Sequence, residues 1–199
     1  MVVGVCRVMS GYTLLELIFA LSLSIVLGAV AVPQLNAAVD EARAAGAARY
    51  LSTKFQQARM EAVVRSVPVG WQFVATPSGY TYTPYVDGNA NGIRSTDIQK
   101  GTDPRIGPVD RLGDQFPGVD FGVIPGLPPI DSGGTPPGTD PIRLGSSNIL
   151  TFTPLGTASS GTVYLKGRRN AQYAIRILGD TGKTRLLKFD PRTRLWNPA

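Results

Sequence analysis

Apolar residues run almost without interruption over positions 12–32, and Glu16 is the only formally charged side chain among those 21 residues. At a helical rise of about 1.5 Å per residue, such a run is long enough to cross a bilayer. Past Pro33 the pattern becomes periodic. Leu35, Val39 and Ala42, then Leu51, Phe55, Ala58 and Ala62, recur at spacings of three and four, while Arg43, Arg49, Lys54, Arg59 and Glu61 take other positions. This predicts one long helix ending near residue 66, with its second half amphipathic. A proline inside a helix removes a backbone donor, so Pro33 predicts a kink between the two halves. Small residues dominate 37–48, which suits close packing of neighbouring helices as well as packing on a domain core.

Beyond Pro68 the apolar period shifts to two. Val69–Thr76 and 80–87 read as a hairpin turned at Pro77-Ser78-Gly79. A polar turn cluster, Asp87-Gly88-Asn89-Ala90-Asn91-Gly92, follows. Residues 101–145 are rich in Gly and Pro and predict an extended surface excursion, with one short edge strand at 119–124. Four short segments, 149–153, 162–166, 173–178 and 185–189, with a fifth at 193–196, read as an antiparallel meander with one apolar face against the long helix. The expected fold class is α+β, a long kinked helix packed on an antiparallel sheet.

Composition removes several functions. The 199 residues hold no histidine and one cysteine, Cys6. That excludes Ser-His-Asp and Cys-His catalysis and histidine ligation of a metal. No paired carboxylates stand in a recognisable catalytic frame, so the sequence implies neither an enzyme nor a cofactor. Asp87, Asn89, Asn91 and Gly92 match the first half of an EF-hand calcium loop, but position twelve is Ile98 and Asp97 comes one residue early. A weak calcium site and a polar hairpin loop both remain open there. Gly182-Lys183-Thr184 resembles the end of a phosphate-binding loop, yet the glycine needed five positions earlier is Ile177, which leaves a turn between strands.

Charge is distributed unevenly. Residues 66–141 carry four basic and eight acidic groups, whereas 142–199 carry ten and two. Lys166, Arg168, Arg169, Lys183, Arg185, Arg192 and Arg194 would make one basic surface if neighbouring strands brought their turns together. A nucleic acid, an anionic membrane surface and a plain solvated edge all fit such a surface.

The residues Gly11-Tyr12-Thr13-Leu14-Leu15-Glu16, ahead of an apolar helix, resemble the processing site of type IV prepilins and type II secretion pseudopilins. The turn cluster at 87–92, the C-terminal meander and the turn Gly182-Lys183-Thr184-Arg185 are most similar to the GspH/FimT group of minor pseudopilins and minor pilins. The resemblance implies cleavage after Gly11 by a prepilin peptidase, methylation of the new Tyr12 amine, and a role for Glu16 as the assembly carboxylate. It also implies a proline kink at Pro33, other pilins or pseudopilins and an inner-membrane assembly platform as partners, and no cofactor. Domains follow as a leader at 1–11, a transmembrane and assembly half at 12–33, an amphipathic half at 34–66, and a periplasmic sheet domain at 67–199 with an insertion at about 98–148. The N-terminus is expected in the cytoplasm of a bacterial inner membrane, held by Arg7 and the leader charge.

In some FimT-like minor pilins the corresponding Gly-Arg-x-Arg turn binds DNA for uptake, so Gly182, Lys183 and Arg185, with Arg168 and Arg169, are the candidate DNA contacts. Lys183 keeps the charge of the family's first arginine without its planar fork. The other readings of the N-terminus are an ordinary secretory signal and a plain membrane-anchored periplasmic domain. A secretory signal fits poorly, because the apolar run is longer than usual, carries Glu16 and continues into a helix.

Overall fold

A computed structural model describes residues 11–199; Cys6, Arg7 and Ser10 of the expected leader lie outside the described residues. The first helix, α1, is Leu14–Arg65, and it runs through Pro33 without interruption. The chain divides into two compact units, Met1–Ala38 and Val39–Ala199. In the first, every described side chain is exposed, including Leu14, Ile18, Leu21, Ile25 and Val32. Its polar groups bond locally: Ser22 Oγ donates to the carbonyls of Ile18 and Phe19, and Ser24 Oγ to that of Ala20. Hydroxyls satisfied in this way suit an apolar medium, where water cannot serve them.

In the second unit α1 buries Ala44, Ala47, Ala48, Leu51, Phe55, Ala58 and Ala62. The steps from Ala44 through Ala48, Leu51, Phe55 and Ala58 to Ala62 alternate four and three, which keeps one stripe facing the sheets. Leu35, Val39 and Ala42, expected on that stripe, are exposed instead. Their phase explains this: twelve residues separate Val39 from Leu51, which at about 100° per residue rotates one roughly 120° from the other. The position entering the stripe is Asp40, an acid the apolar pattern does not reveal.

Ten strands follow, in two antiparallel sheets rather than one. They are β1 (Val69–Thr76), β2 (Gly79–Val86), β3 (Asp110–Arg111), β4 (Asp120–Phe121), β5 (Ile142–Arg143), β6 (Ile149–Phe152), β7 (Gly161–Lys166), β8 (Gln172–Ile177), β9 (Thr184–Asp190) and β10 (Leu195–Pro198). The first sheet has the order β3-β2-β1-β6 and the second β10-β9-β8-β7-β4, with β5 also paired to β7. Strand β6, expected to open the meander, pairs with β1, with Val69 opposite Phe152. A short helix, α2 (Ser95–Lys100), precedes the Gly/Pro-rich region, and another, α3 (Leu112–Gln115), interrupts it.

That region is a structural member, not a surface excursion. Leu112, Val119, Phe121, Ile142 and Leu144 from it join Leu51, Phe55 and the sheets in one core. The Phe121 backbone pairs with β7, while its ring packs 5.5 Å from Phe73 and 6.0 Å from Tyr82 of the first sheet. It therefore joins the two sheets. Farther along, Val123, Ile124, Leu127 and Ile130 pack on a second cluster with Tyr164, Ala174, Leu187 and Phe189. Successive β8 residues alternate between clusters, Tyr173, Ile175 and Ile177 in one and Ala174 in the other, so this strand of the second sheet is buried on both faces.

Candidate assembly segment and basic turns

Helix α1 begins two residues after the expected cleavage point. Gly11, Tyr12 and Thr13 are non-helical and exposed. A Cβ built on Gly11 meets nothing within 4 Å. The Thr13 hydroxyl accepts a hydrogen bond from the Glu16 backbone N–H at 3.2 Å, an N-cap that fixes the helix start. Thr13-Leu14-Leu15-Glu16 thus has the spacing of a capping box. Glu16 lies in the first turn, where unpaired N–H groups favour a carboxylate, four residues after Tyr12.

The basic residues do not form one surface. Strands β7, β8 and β9 are sequential antiparallel neighbours, so the β7–β8 turn and the β8–β9 turn stand at opposite ends of the sheet. Arg168 and Arg169 belong to the first and Lys183 to the second. Each turn is tied to a different level of α1. The Arg168 and Arg169 backbone N–H groups donate to Asp40 Oδ1 and Oδ2 at 2.9 and 2.7 Å. Thr184 Oγ1 accepts from Gln56 Nε2 at 2.8 Å and lies 3.2 Å from Ser52 Oγ. Sixteen residues separate Asp40 from Gln56, about 24 Å of helix. The β9–β10 turn returns to the Arg168 end, where Arg169, Lys188 and Arg192 border one groove. Arg185 sits opposite Arg176 in the β8–β9 register, and Arg176 is engaged by Asp131 at 2.9 Å.

Gly182 has a structural part in its turn. Its φ is +59°, and a Cβ there would lie 2.4 Å from the Gly156 carbonyl oxygen and 3.1 Å from Arg59 Nε. Only glycine fits without rearrangement.

At the polar loop, Asp87 accepts from the Asn89 N–H (3.0 Å) and the Gly92 N–H (2.7 Å). Asp103 accepts from the Gly88 and Arg94 N–H groups, both at 3.1 Å, and Asn91 Nδ2 donates to Asp97 Oδ2 at 3.1 Å. The three aspartates are buried, and the loop's own donors serve them. Among the described residues no group of three or more His, Cys, Asp or Glu side chains is arranged to hold a metal ion. The turn pattern marked Asp87; Asp103, eleven residues beyond Gly92, carried no comparable signal.

Three further polar anchors were not legible. Besides Asp40, Glu41 accepts from Tyr173 Oη and pairs with Lys188 Nζ at 2.8 Å. Burial, then the hydrogen bond to Glu41 and its negative charge, raise the Tyr173 pKa well above the ordinary phenol value. Buried Gln172 donates through Nε2 to the Gly122 and Leu165 carbonyls at 3.1 and 2.9 Å. Its Oε1 accepts from the Ile124 N–H at 3.0 Å, which pins the covering segment to β8.

A long N-terminal helix, apolar in its first half, joined to an antiparallel β-domain that packs its second half defines a pilin-like protein. The family described as Type II transport protein GspH matches residues 47–182, more than half of the chain, and the chain belongs to that family. Membership makes it a pseudopilin-like component of type II secretion, structural rather than enzymatic, whose partners are other pseudopilins. The match begins within α1, so Gly11, Tyr12 and Glu16 lie outside it. No curated protein and no solved structure matched the chain.

Proposed function

We propose that this chain is a minor pseudopilin or minor pilin, made as a precursor, cut after Gly11 by a prepilin peptidase and methylated on the Tyr12 amine. It then assembles into a type II secretion pseudopilus or a type IV pilus. The observation carrying this reading is Glu16, one carboxylate in an otherwise uncharged span of 21 residues. Inserting such a group costs roughly 2–3 kcal/mol, and a positive partner inside the apolar medium offsets that cost. Cleavage creates that partner, an amine at Tyr12. The amine is the chain's own or a neighbouring subunit's, and at low dielectric the pair draws the incoming subunit into the filament.

Before cleavage the subunit resides in the bacterial inner membrane, with Arg7 and the leader cytoplasmic and the sheet domain periplasmic. The assembly platform and other pseudopilins then receive it, and Pro33 supplies a kink that helix packing accommodates. DNA uptake is the weaker reading, because Lys183 and Arg185 stand at the far end of the sheet from Arg168 and Arg169.

The test is the intact mass and N-terminal sequence of membrane-extracted protein expressed with and without a prepilin peptidase. A chain beginning at N-methylated Tyr12 only with the peptidase supports the proposal. A chain beginning beyond residue 32 means general secretion and ends it.

A further inference from the structure

The Arg168-Arg169 turn is a basic platform held at the first turns of the domain helix. Asp40 fixes it there through two backbone hydrogen bonds. Only eight residues separate Asp40 from Val32, the last residue of the apolar run. Whatever the angle of the chain between them, that connection reaches at most about 28 Å fully extended and about 12 Å as helix.

The charges around the turn divide by direction. Arg43, one helical turn from Asp40, is exposed, as are Arg168, Arg169, Lys188 and Arg192. The nearby carboxylates are taken up within the fold. Asp40 is buried beneath the turn, Glu41 is engaged by Tyr173 and Lys188, and Asp190 accepts from the Arg192 N–H at 2.8 Å. Arg194 reaches the Gly126 carbonyl at 2.9 Å and belongs to the fold as well. What faces outward at this end is cationic and lies close, along the chain, to the segment that enters the bilayer.

We propose that Arg43, Arg168, Arg169 and Arg192 dock the sheet domain on the anionic headgroups of the membrane that anchors the chain. This rests on the membrane-anchored reading given above. A positive surface within reach of anionic lipid gains about a fivefold shift in equilibrium per basic residue. Docking of this kind holds this end of the unassembled domain against its membrane and is released when the subunit is drawn out. The same surface would accept DNA phosphates, but only the membrane is tethered within reach of this end by the chain itself.

The test uses the full chain with Cys6→Ser, reconstituted into phosphatidylcholine vesicles with or without phosphatidylglycerol. A spin label is placed at Pro191→Cys, beside the platform, or at Asp180→Cys, in the turn at the opposite end. Nickel chelated to lipid headgroups reports proximity by relaxing the label. The expected result is strong relaxation at 191 in the anionic vesicles at low salt, lost at high salt, with the 180 label unaffected. Each Arg→Gln change among the four should lower the docked-to-undocked ratio about fivefold. Arg→Lys at the same positions should preserve it, which separates lost charge from disturbed folding.

Equal relaxation at 191 in the two lipids, with the chain floating with both vesicles, overturns the docking proposal and leaves the anchor standing. So does a 191 label that answers to added duplex DNA but not to anionic lipid. A chain that floats with neither vesicle overturns the anchored reading, and docking with it.

Discussion

Asp40 and Arg169 stand 129 positions apart in the chain, and the Arg169 backbone N–H donates to Asp40 Oδ2 at 2.7 Å. The Arg168 N–H fills the other carboxylate oxygen at 2.9 Å. One buried helix carboxylate thereby caps the β7–β8 turn and sets the level at which the second sheet meets α1. Gly167 allows the approach, since a Cβ there would come within 2.8 Å of Asp40 Oδ2.

Removing that acceptor should be costly. Asp40→Ala leaves two backbone donors without their partner, and hydrogen bonds to a charged group contribute about 1.5–3 kcal/mol each. We expect a loss of roughly 3 kcal/mol, a fall of about 6–12 °C in Tm for a domain of this size. Asp40→Asn retains one acceptor oxygen and should lose about half as much. Thermal unfolding of the detergent-solubilised full chain measures both, and wild-type melting of the alanine variant would show that the contact holds nothing.

Alkaline pH should destabilise the domain through its tyrosines. Burial, the largest cause in each case, raises the pKa of Tyr80, Tyr82, Tyr164 and Tyr173 above 10.0. Each protonated phenol is favoured more in the folded than in the unfolded chain. Its contribution is therefore fully present below about pH 10 and is lost as pH rises through the folded-state value. Tm should be insensitive to tyrosine titration up to about pH 9 and fall beyond pH 10, with a shallower fall for Tyr173→Phe. Ultraviolet titration provides the check: Tyr80, Tyr82, Tyr164 and Tyr173 should ionise at higher pH in the folded than in the unfolded chain. Ionisation of these four near pH 10 in the folded chain would contradict this.

The Gly182 turn offers a separation of roles. Gly182→Ala forces a Cβ toward the Gly156 carbonyl at a positive φ. We expect a loss of about 2–3 kcal/mol. Lys183→Ala and Arg185→Ala remove only exposed charge and should change stability by less than about 0.5 kcal/mol. Gel-shift titration with these two variants and with Arg168→Ala/Arg169→Ala then tests nucleic-acid binding without confounding it with folding. A wild-type chain that shifts no DNA at low salt removes that role.

The helix, the first hairpin and most strands were legible because periodicity is a local signal. Residues 69–76 alternate, and α1 shows its stripe from Leu51 onward. Phase was lost where alanines replace bulky residues, since Ala42 and Ala44 look alike in a pattern yet point about 160° apart. The division into two sheets was not legible, because β6 chooses β1 over β7 through contacts about 80 residues away in the chain. The Gly/Pro-rich region misled for a similar reason. Phe121 fell in the one short strand the pattern offered there, but Leu127 and Ile142 stand beside prolines and glycines without a sustained period, and only the assembled sheets give all three a place to be buried. At the candidate site, Gly11, Tyr12 and Glu16 stood out through one charge in an apolar run. Asp40 and Gln172 could not, because their partners are backbone groups that any sequence would supply.

Glu16 supplies the sharpest functional prediction, because the Thr13 cap and the carboxylate separate structure from assembly. Glu16→Ala leaves the Thr13 hydroxyl bonded to the residue-16 N–H, so the helix should still start at Leu14. Cleavage and membrane extraction should therefore proceed normally. The Tyr12 amine, however, would enter the filament core without its counter-charge, and incorporation should fall by roughly tenfold or more. Glu16→Gln keeps the shape and loses the charge, and should fail to the same extent. Gly11→Val places a branched side chain at the proposed cleavage point and should leave the precursor at full length. Immunoblots of sheared filament and membrane fractions read all three variants. Normal incorporation of Glu16→Gln would show that helix packing alone recruits the subunit, and the amine–carboxylate pair would have to be abandoned as the driving contact.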